Sequence, residues 1–211
     1  MRNILLIGDS IREGYDKYVK MAFEGIAGVY YPRDNCRFST YVLRHLIDWK
    51  NEYVKDVEID LIHWNAGLWD DLVMPDGLPL VDIQEYKKNI ERVCKLIKMF
   101  FPQAKMIFAT STPVQEELFD VCKRYNKTTE LYNEAASKIV TSHGGEINDL
   151  YGLMNKQPVE YHSDLTHYYT KEGTEVITNQ VIKCIEKSLY IKAKPLDYDG
   201  LFNKQKDIQG F

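Results

Sequence analysis

Two groups of residues at opposite ends of the chain have the types and spacing for acyl transfer. Near the start, the apolar run Ile4-Leu5-Leu6-Ile7 stops at Gly8-Asp9-Ser10, which puts a serine hydroxyl at the carboxyl end of a first strand, where open α/β sheets place their ligands. Near the far end, Asp164-Leu165-Thr166-His167 sets a carboxylate three residues before an imidazole, so one short loop can present both. Acyl transfer needs an activated hydroxyl, a base within hydrogen-bond reach, a group that orients the base, and donors aimed at the developing oxyanion. Ser10 is the candidate nucleophile. His167 is the candidate base, which takes the serine proton and returns it to the leaving alcohol, and Asp164 is the group that holds the imidazole in the useful tautomer. Taken singly, each has an ordinary meaning, such as a strand-end serine capping the next helix. Their joint occurrence in this order favours catalysis.

Short apolar runs alternate with longer amphipathic segments, the pattern of βαβ units around a parallel sheet. Strands are expected at about 3–8, 28–31, 57–64, 105–109 and 146–148. Helices are expected at about 12–24, 39–51 and 83–100, then through Leu131, Ala135, Ile139 and Val140 to a glycine stop at Gly144-Gly145, and finally at 171–190. The catalytic candidates then lie at the end of the first strand and just before the last helix. Residues 1–192 read as one domain and 193–211 as a tail whose Leu196, Tyr198, Leu201, Phe202 and Phe211 pack on the body or on a second copy of the chain.

The length of 211 residues suits a single domain, and the net charge of −4 comes without any block of Lys and Arg. Nucleic acid and anionic membrane are therefore not the expected partners, and a small neutral ester is. The short apolar start, without a cleavage pattern, leads to the expectation of a cytoplasmic protein. Cys36, Cys94, Cys122 and Cys184 stand far apart with no zinc-type spacing, so they read as reduced thiols and no metal is expected. His63 inside the third strand reads as a core histidine, and His162 lacks an aspartate three residues before it.

At both ends the chain resembles the SGNH (GDSL-type) hydrolases, a family of flavodoxin-like esterases, lipases and carbohydrate deacetylases. Ile7-Gly8-Asp9-Ser10 is similar to its first block, and Asp164-Leu165-Thr166-His167, running into Tyr168-Tyr169-Thr170-Lys171-Glu172-Gly173, to its last. The resemblance covers about residues 3–190. It implies a three-layer α/β/α sandwich, a five-stranded parallel sheet of order 2-1-3-4-5, and no cofactor or metal. The middle blocks differ. The family takes an oxyanion donor from a glycine after the second strand, but Asp34-Asn35-Cys36-Arg37-Phe38-Ser39-Thr40 has none, which leaves the backbone N–H of Cys36 or Arg37 beside that of Ser10. The family's Gly-x-Asn-Asp is here Gly67-Leu68-Trp69-Asp70, with Trp69 in place of the asparagine. In extended chain Asn65, Gly67 and Trp69 share a face, so Asn65 is the candidate side-chain donor, or else a strand-end residue satisfying local backbone. Asp9, Arg37, Trp69 and Tyr168 are the expected substrate contacts. Each also has a packing or solvated-surface reading.

The expected activity is hydrolysis of a short acyl ester, acetyl above all, of a carbohydrate or other small polar metabolite. A non-catalytic small-ligand or glycan-binding protein on the same fold is the alternative. A phosphate cradle after the first strand ranks last, because no Gly-x-Gly-x-x-Gly or Gly-x-x-x-x-Gly-Lys motif accompanies it.

Overall fold

The computed structural model describes residues 1–209. Five parallel strands, β1 (Arg2–Ile7), β2 (Ala27–Tyr30), β3 (Leu61–Trp64), β4 (Lys105–Ala109) and β5 (Glu146–Asn148), form one sheet in the order β2-β1-β3-β4-β5. Ile4 to Ile7 are fully buried because both sheet faces are covered, so the strand is apolar throughout rather than alternating. In register, Ile4 to Ile7 pair with Leu61 to Trp64. Successive side chains go to opposite sides. Ile4 and Leu6 join one core with α1 (Ser10–Glu13), α2 (Asp16–Ala22) and α7 (Lys171–Leu189), while Leu5 and Ile7 join another with α3 (Ser39–Tyr53), α4 (Ile83–Phe100) and α5 (Asn126–Ser142). The three-layer sandwich and its strand order are those expected.

Several boundaries differ for physical reasons. The single helix expected over 12–24 is two, broken at Gly14-Tyr15, where Tyr15 turns wholly inward and its hydroxyl meets His63 Nδ1 at 3.2 Å. His63 is a core residue, its pKa pushed down to about 3 by burial. The third strand starts at Leu61 rather than at 57, since Val57 closes a turn on Val54 and the Asp60 carboxylate accepts the N–H of Asn3 across the sheet end. Leu131 is half exposed, and α5 buries Tyr132, Ala135, Ala136 and Val140 instead. A short helix α6 (Leu150–Met154) follows β5.

The tail carries a helix that periodicity did not reveal, α8 (Tyr198–Gln209). It lies on the body: Tyr198 and Phe202 pack on Tyr18 of α2 at 6.2 and 6.0 Å, and Asp199 pairs with Lys171 at 2.7 Å. Phe211 lies outside the described residues. All four cysteines are free. Among the described residues no helix is long and apolar enough to cross a membrane, and no three His, Cys, Asp or Glu side chains gather as they would around a metal ion.

Candidate active site

The nucleophile turn is built by burial. After β1 the chain turns at Gly8, where a Cβ would fall 1.9 Å from Asn65 Oδ1, so only glycine fits. Asp9 then caps α1 by accepting the N–H of Ile11 at 2.9 Å, and its fully buried carboxylate also accepts from Asn65 Nδ2 at 2.8 Å. Burial pushes the Asp9 carboxyl above its usual range, against the pull of Asn65, the Ile11 N–H and the Arg124 charge. These contacts leave Ser10 half-buried as the first residue of α1.

The loop before α7 presents the base. Asp164 Oδ1 accepts the backbone N–H groups of Thr166 at 2.7 Å and His167 at 2.8 Å, a local turn that draws the two side chains together. His167 Nδ1 lies 2.8 Å from Asp164 Oδ2, and His167 Nε2 lies 2.8 Å from Ser10 Oγ. Burial raises the Asp164 carboxyl, but the Thr166 N–H and the His167 ring and N–H outweigh it and hold it below the usual carboxylate range. The loop after β4 braces this one, because Gln115 donates its backbone N–H to the Leu165 carbonyl at 2.9 Å and its side-chain amide to the Asp164 carbonyl at 3.1 Å. Ser10, Asp164 and His167 therefore meet in a continuous hydrogen-bonded line across the carboxyl ends of the strands.

The side where an oxyanion would form departs from the sequence expectation. Asn65 is fully buried with its amide given to Asp9, so it braces the nucleophile turn rather than facing a substrate. The Cys36 N–H is likewise engaged, donating to the Gly8 carbonyl at 3.0 Å. Arg37 takes the left-handed conformation, φ 52°, that glycine adopts without strain, at the loop where the family places its glycine. Its N–H donates to Asn35 Oδ1 at 2.9 Å on the exposed side, and its guanidinium extends over the Tyr41 ring at 4.9 Å. Trp69 is half-buried in the loop after β3. Two expected substrate contacts are corrected outright. Asp9 is sealed inside as a cap, and Tyr168 is buried with its ring on His162 at 3.9 Å and its hydroxyl on the Pro113 carbonyl at 3.3 Å.

Three further residues shape the site, two of them, Arg12 and Arg124, absent from the sequence expectation. Arg12 is buried and forks: Nη1 pairs with Asp16 and donates to the Pro32 carbonyl at 3.0 Å, and Nη2 donates to the Asp34 carbonyl at 2.6 Å. That clamp fixes the loop carrying Cys36 and Arg37 against α1. Arg124 donates from Nε to the Leu68 carbonyl at 2.7 Å, which brings its charge beside the buried Asp9 and Asp71 carboxylates. Tyr169, next to the buried Tyr168, is the tyrosine that faces the site. Arg12 had a signal, an Asp four residues later on one helical face. Arg124 had none, and Tyr169 was visible only as one of the tyrosines crowding the loop of His167, suited alike to a pocket rim and to packing.

No protein-family model matches the chain. Among curated proteins it is similar to the GDSL esterase/lipase WDL1 of Oryza sativa subsp. japonica, 22% identical over 135 residues and covering 57% of this chain and 52% of that one. The match thus spans about half the length of that relative. Among solved structures, a lipase/acylhydrolase from Enterococcus faecalis superposes with a TM-score of 0.67 at 20% identity over 93% of this chain and all of that one. A GDSL-like lipase from Bacteroides thetaiotaomicron gives a TM-score of 0.68 at 17% identity over 89% of each chain. The acetyl xylan esterase AlAXEase gives 0.68 at 14% identity over 87% of this chain and 99% of that one.

Proposed function

We infer from this fold, which is that of the SGNH (GDSL-type) hydrolases, that the chain is a carboxylic ester hydrolase working through a serine acyl-enzyme. The observation that carries the reading is the unbroken line from Asp164 through His167 to Ser10, with 2.8 Å at each link. Nδ1–H donates to the carboxylate, which leaves the Nε2 lone pair to accept the Ser10 proton as Oγ bonds to the ester carbonyl carbon. The imidazolium so formed protonates the alkoxide oxygen as the C–O bond breaks, and the alcohol departs. A water then repeats the sequence on the acyl-serine, its proton passing to His167 and from there to Ser10 Oγ, which frees the acid. Of the oxyanion candidates, the Ser10 N–H lies at the first turn of α1 and the Arg37 N–H at the left-handed position. The Arg37 N–H, like that of Cys36, is already held, by Asn35 Oδ1, so the Ser10 N–H is the backbone donor left among these candidates.

The substrate proposed is a short acyl ester, acetyl above all, of a carbohydrate or other small polar molecule. Half-buried Trp69 and exposed Arg37 are the rim residues suited to a polar, hydroxyl-bearing alcohol. An acetyl xylan esterase among proteins of the same fold agrees with that choice. The test is the initial rate on p-nitrophenyl acetate for the protein and its Ser10→Ala variant. Loss of about 1,000-fold or more in the variant is the expected result. One observation favours a non-catalytic ligand- or glycan-binding protein on this fold: the side-chain oxyanion donor is missing, since the Asn65 amide serves Asp9. Equal rates for the two proteins on this and on acetylated sugars would establish that alternative.

A further inference from the structure

The imidazole of His167 is held at both edges, by Asp164 and by Ser10, but Asp164 is weakly placed to hold it alone. Its side chain is 46% exposed, and an exposed carboxylate–imidazole pair is screened by water. One face of the ring is covered by Tyr169, whose ring stacks on it with centroids 4.6 Å apart and planes within 17°. The same side chain reaches past the base to the nucleophile, because Tyr169 Oη donates to the Ser10 carbonyl at 2.6 Å. One residue therefore touches both partners of a pair that stand 157 positions apart in the chain. The opposite wall is shaped to receive it. A Cβ on Gly14 would lie 2.7 Å from Tyr169 Cε1, so the glycine that separates α1 from α2 is also what lets the ring dock.

We propose that Tyr169 is a positioning residue of the hydrolytic site, setting the distance between His167 and Ser10 and favouring the imidazolium that forms when the serine proton moves. The proposal rests on the esterase reading for its kinetics but not for its geometry. The hydroxyl bond fixes where the ring sits relative to the nucleophile. The stacked ring then presents its electron-rich face to an imidazole that becomes cationic in each proton transfer. The charged groups that act on His167 are Asp164 on its own loop and Asp9 beneath Ser10, and Glu13 of α1 acts on Tyr169. All are acidic, and all remain when Tyr169 is replaced.

The discriminating variants are Tyr169→Leu, which keeps the imidazole covered without a π face, and Tyr169→Phe, which keeps the stack and loses the bond to Ser10. With p-nitrophenyl acetate, Tyr169→Leu is expected to lower kcat by about 10- to 100-fold with KM little changed. The acid limb of its kcat/KM profile is expected to move about half a pH unit lower. Tyr169→Phe should lose kcat while keeping the position of that limb, a separation that loss of packing alone does not produce. The His167 ring-proton titration, followed by NMR in wild type and in both variants, reads the same shift without turnover. An unmoved titration in Tyr169→Leu, or a kcat within twofold of wild type, overturns the proposal. Equal ester hydrolysis by wild type and Ser10→Ala overturns the esterase reading instead, and the NMR titration then decides the role of Tyr169. If the leucine variant fails to fold, the phenylalanine variant decides: an unchanged kcat, or without turnover an unchanged His167–Ser10 hydrogen bond by NMR, overturns the proposal.

Discussion

At the residue scale, the catalytic line is made of partners with unequal support. Ser10 is fixed from below by a buried cap, whereas Asp164 orients His167 from the rim with 46% of its side chain exposed. Water competes for that carboxylate, so its removal costs less than removal of a buried counterpart. Asp164→Asn is expected to lower kcat on p-nitrophenyl acetate by about 1,000-fold, below the roughly 10,000-fold of a fully enclosed triad. Steady-state kinetics check this, with KM expected to change little. The spacing of Asp164 and His167 was readable in the sequence because both sit on one short loop, where separation along the chain limits separation in space. Tyr169 was not. Neighbouring tyrosines 168 and 169 are identical in composition and opposite in direction, and only the packed loop decides which goes to the core and which to the site.

At the scale of elements, the loop after β2 is held by a side chain from a different segment. Arg12 reaches from α1 to the carbonyls of Pro32 and Asp34 while paired with Asp16. Replacing it with methionine strips a buried carboxylate of its cation and the Pro32 and Asp34 carbonyls of their guanidinium donors, at a cost of about 3–5 kcal/mol. Arg12→Lys is not expected to restore stability, since an ammonium cannot span the fork of acceptors. Urea unfolding midpoints of the two variants check both statements. The strands were legible because a parallel sheet covered on both faces needs unbroken apolar runs, and β1 and β4 supply them. The helix break at Gly14 and the tail helix α8 were not legible. The first is set by what docks against the glycine, and the second shows only Tyr198, Leu201 and Phe202 at helical spacing, a single turn that does not stand out from a loop. The oxyanion donors were misread for a related reason: an N–H or amide shows its type in sequence but not the acceptor that claims it.

For the molecule as a whole, three buried carboxylates lie behind the catalytic face. Burial pushes Asp70 up to about 7 against its bonds from Ser39, and Asp71 up to about 7 against its bond from Thr129 and the Arg124 charge. Asp9 is raised in the same direction. A carboxyl with a raised folded pKa binds its proton more tightly in the folded state than in the unfolded chain. Its contribution is therefore fully present below the unfolded value near 4 and is lost as pH rises through about 7. Buried neutral His63, its pKa pushed down to about 3, works the other way below its unfolded value near 6.5, but it is one group against Asp70 and Asp71, so the protein is expected to melt at a lower temperature at pH 8 than at pH 5.5. Asp70→Asn is expected to flatten that slope, because the amide still accepts from Ser39 but does not titrate. Thermal unfolding of both proteins across that range is the check, and a midpoint that rises with pH in wild type would contradict it.

The sheet separates two cores, and the site straddles the seam between them. Ser10 and His167 lead into α1 and α7, which pack on one face, while the loops carrying Arg37 and Trp69 lead into α3 and α4 on the other. The parts that would move protons and the parts that would greet the alcohol thus hang from separate foundations. Laboratory evolution toward a new ester can exploit that division at exposed positions such as Arg37, provided Cys36, Asn65 and the acceptors of Arg12, which tie those loops to the nucleophile turn, are kept.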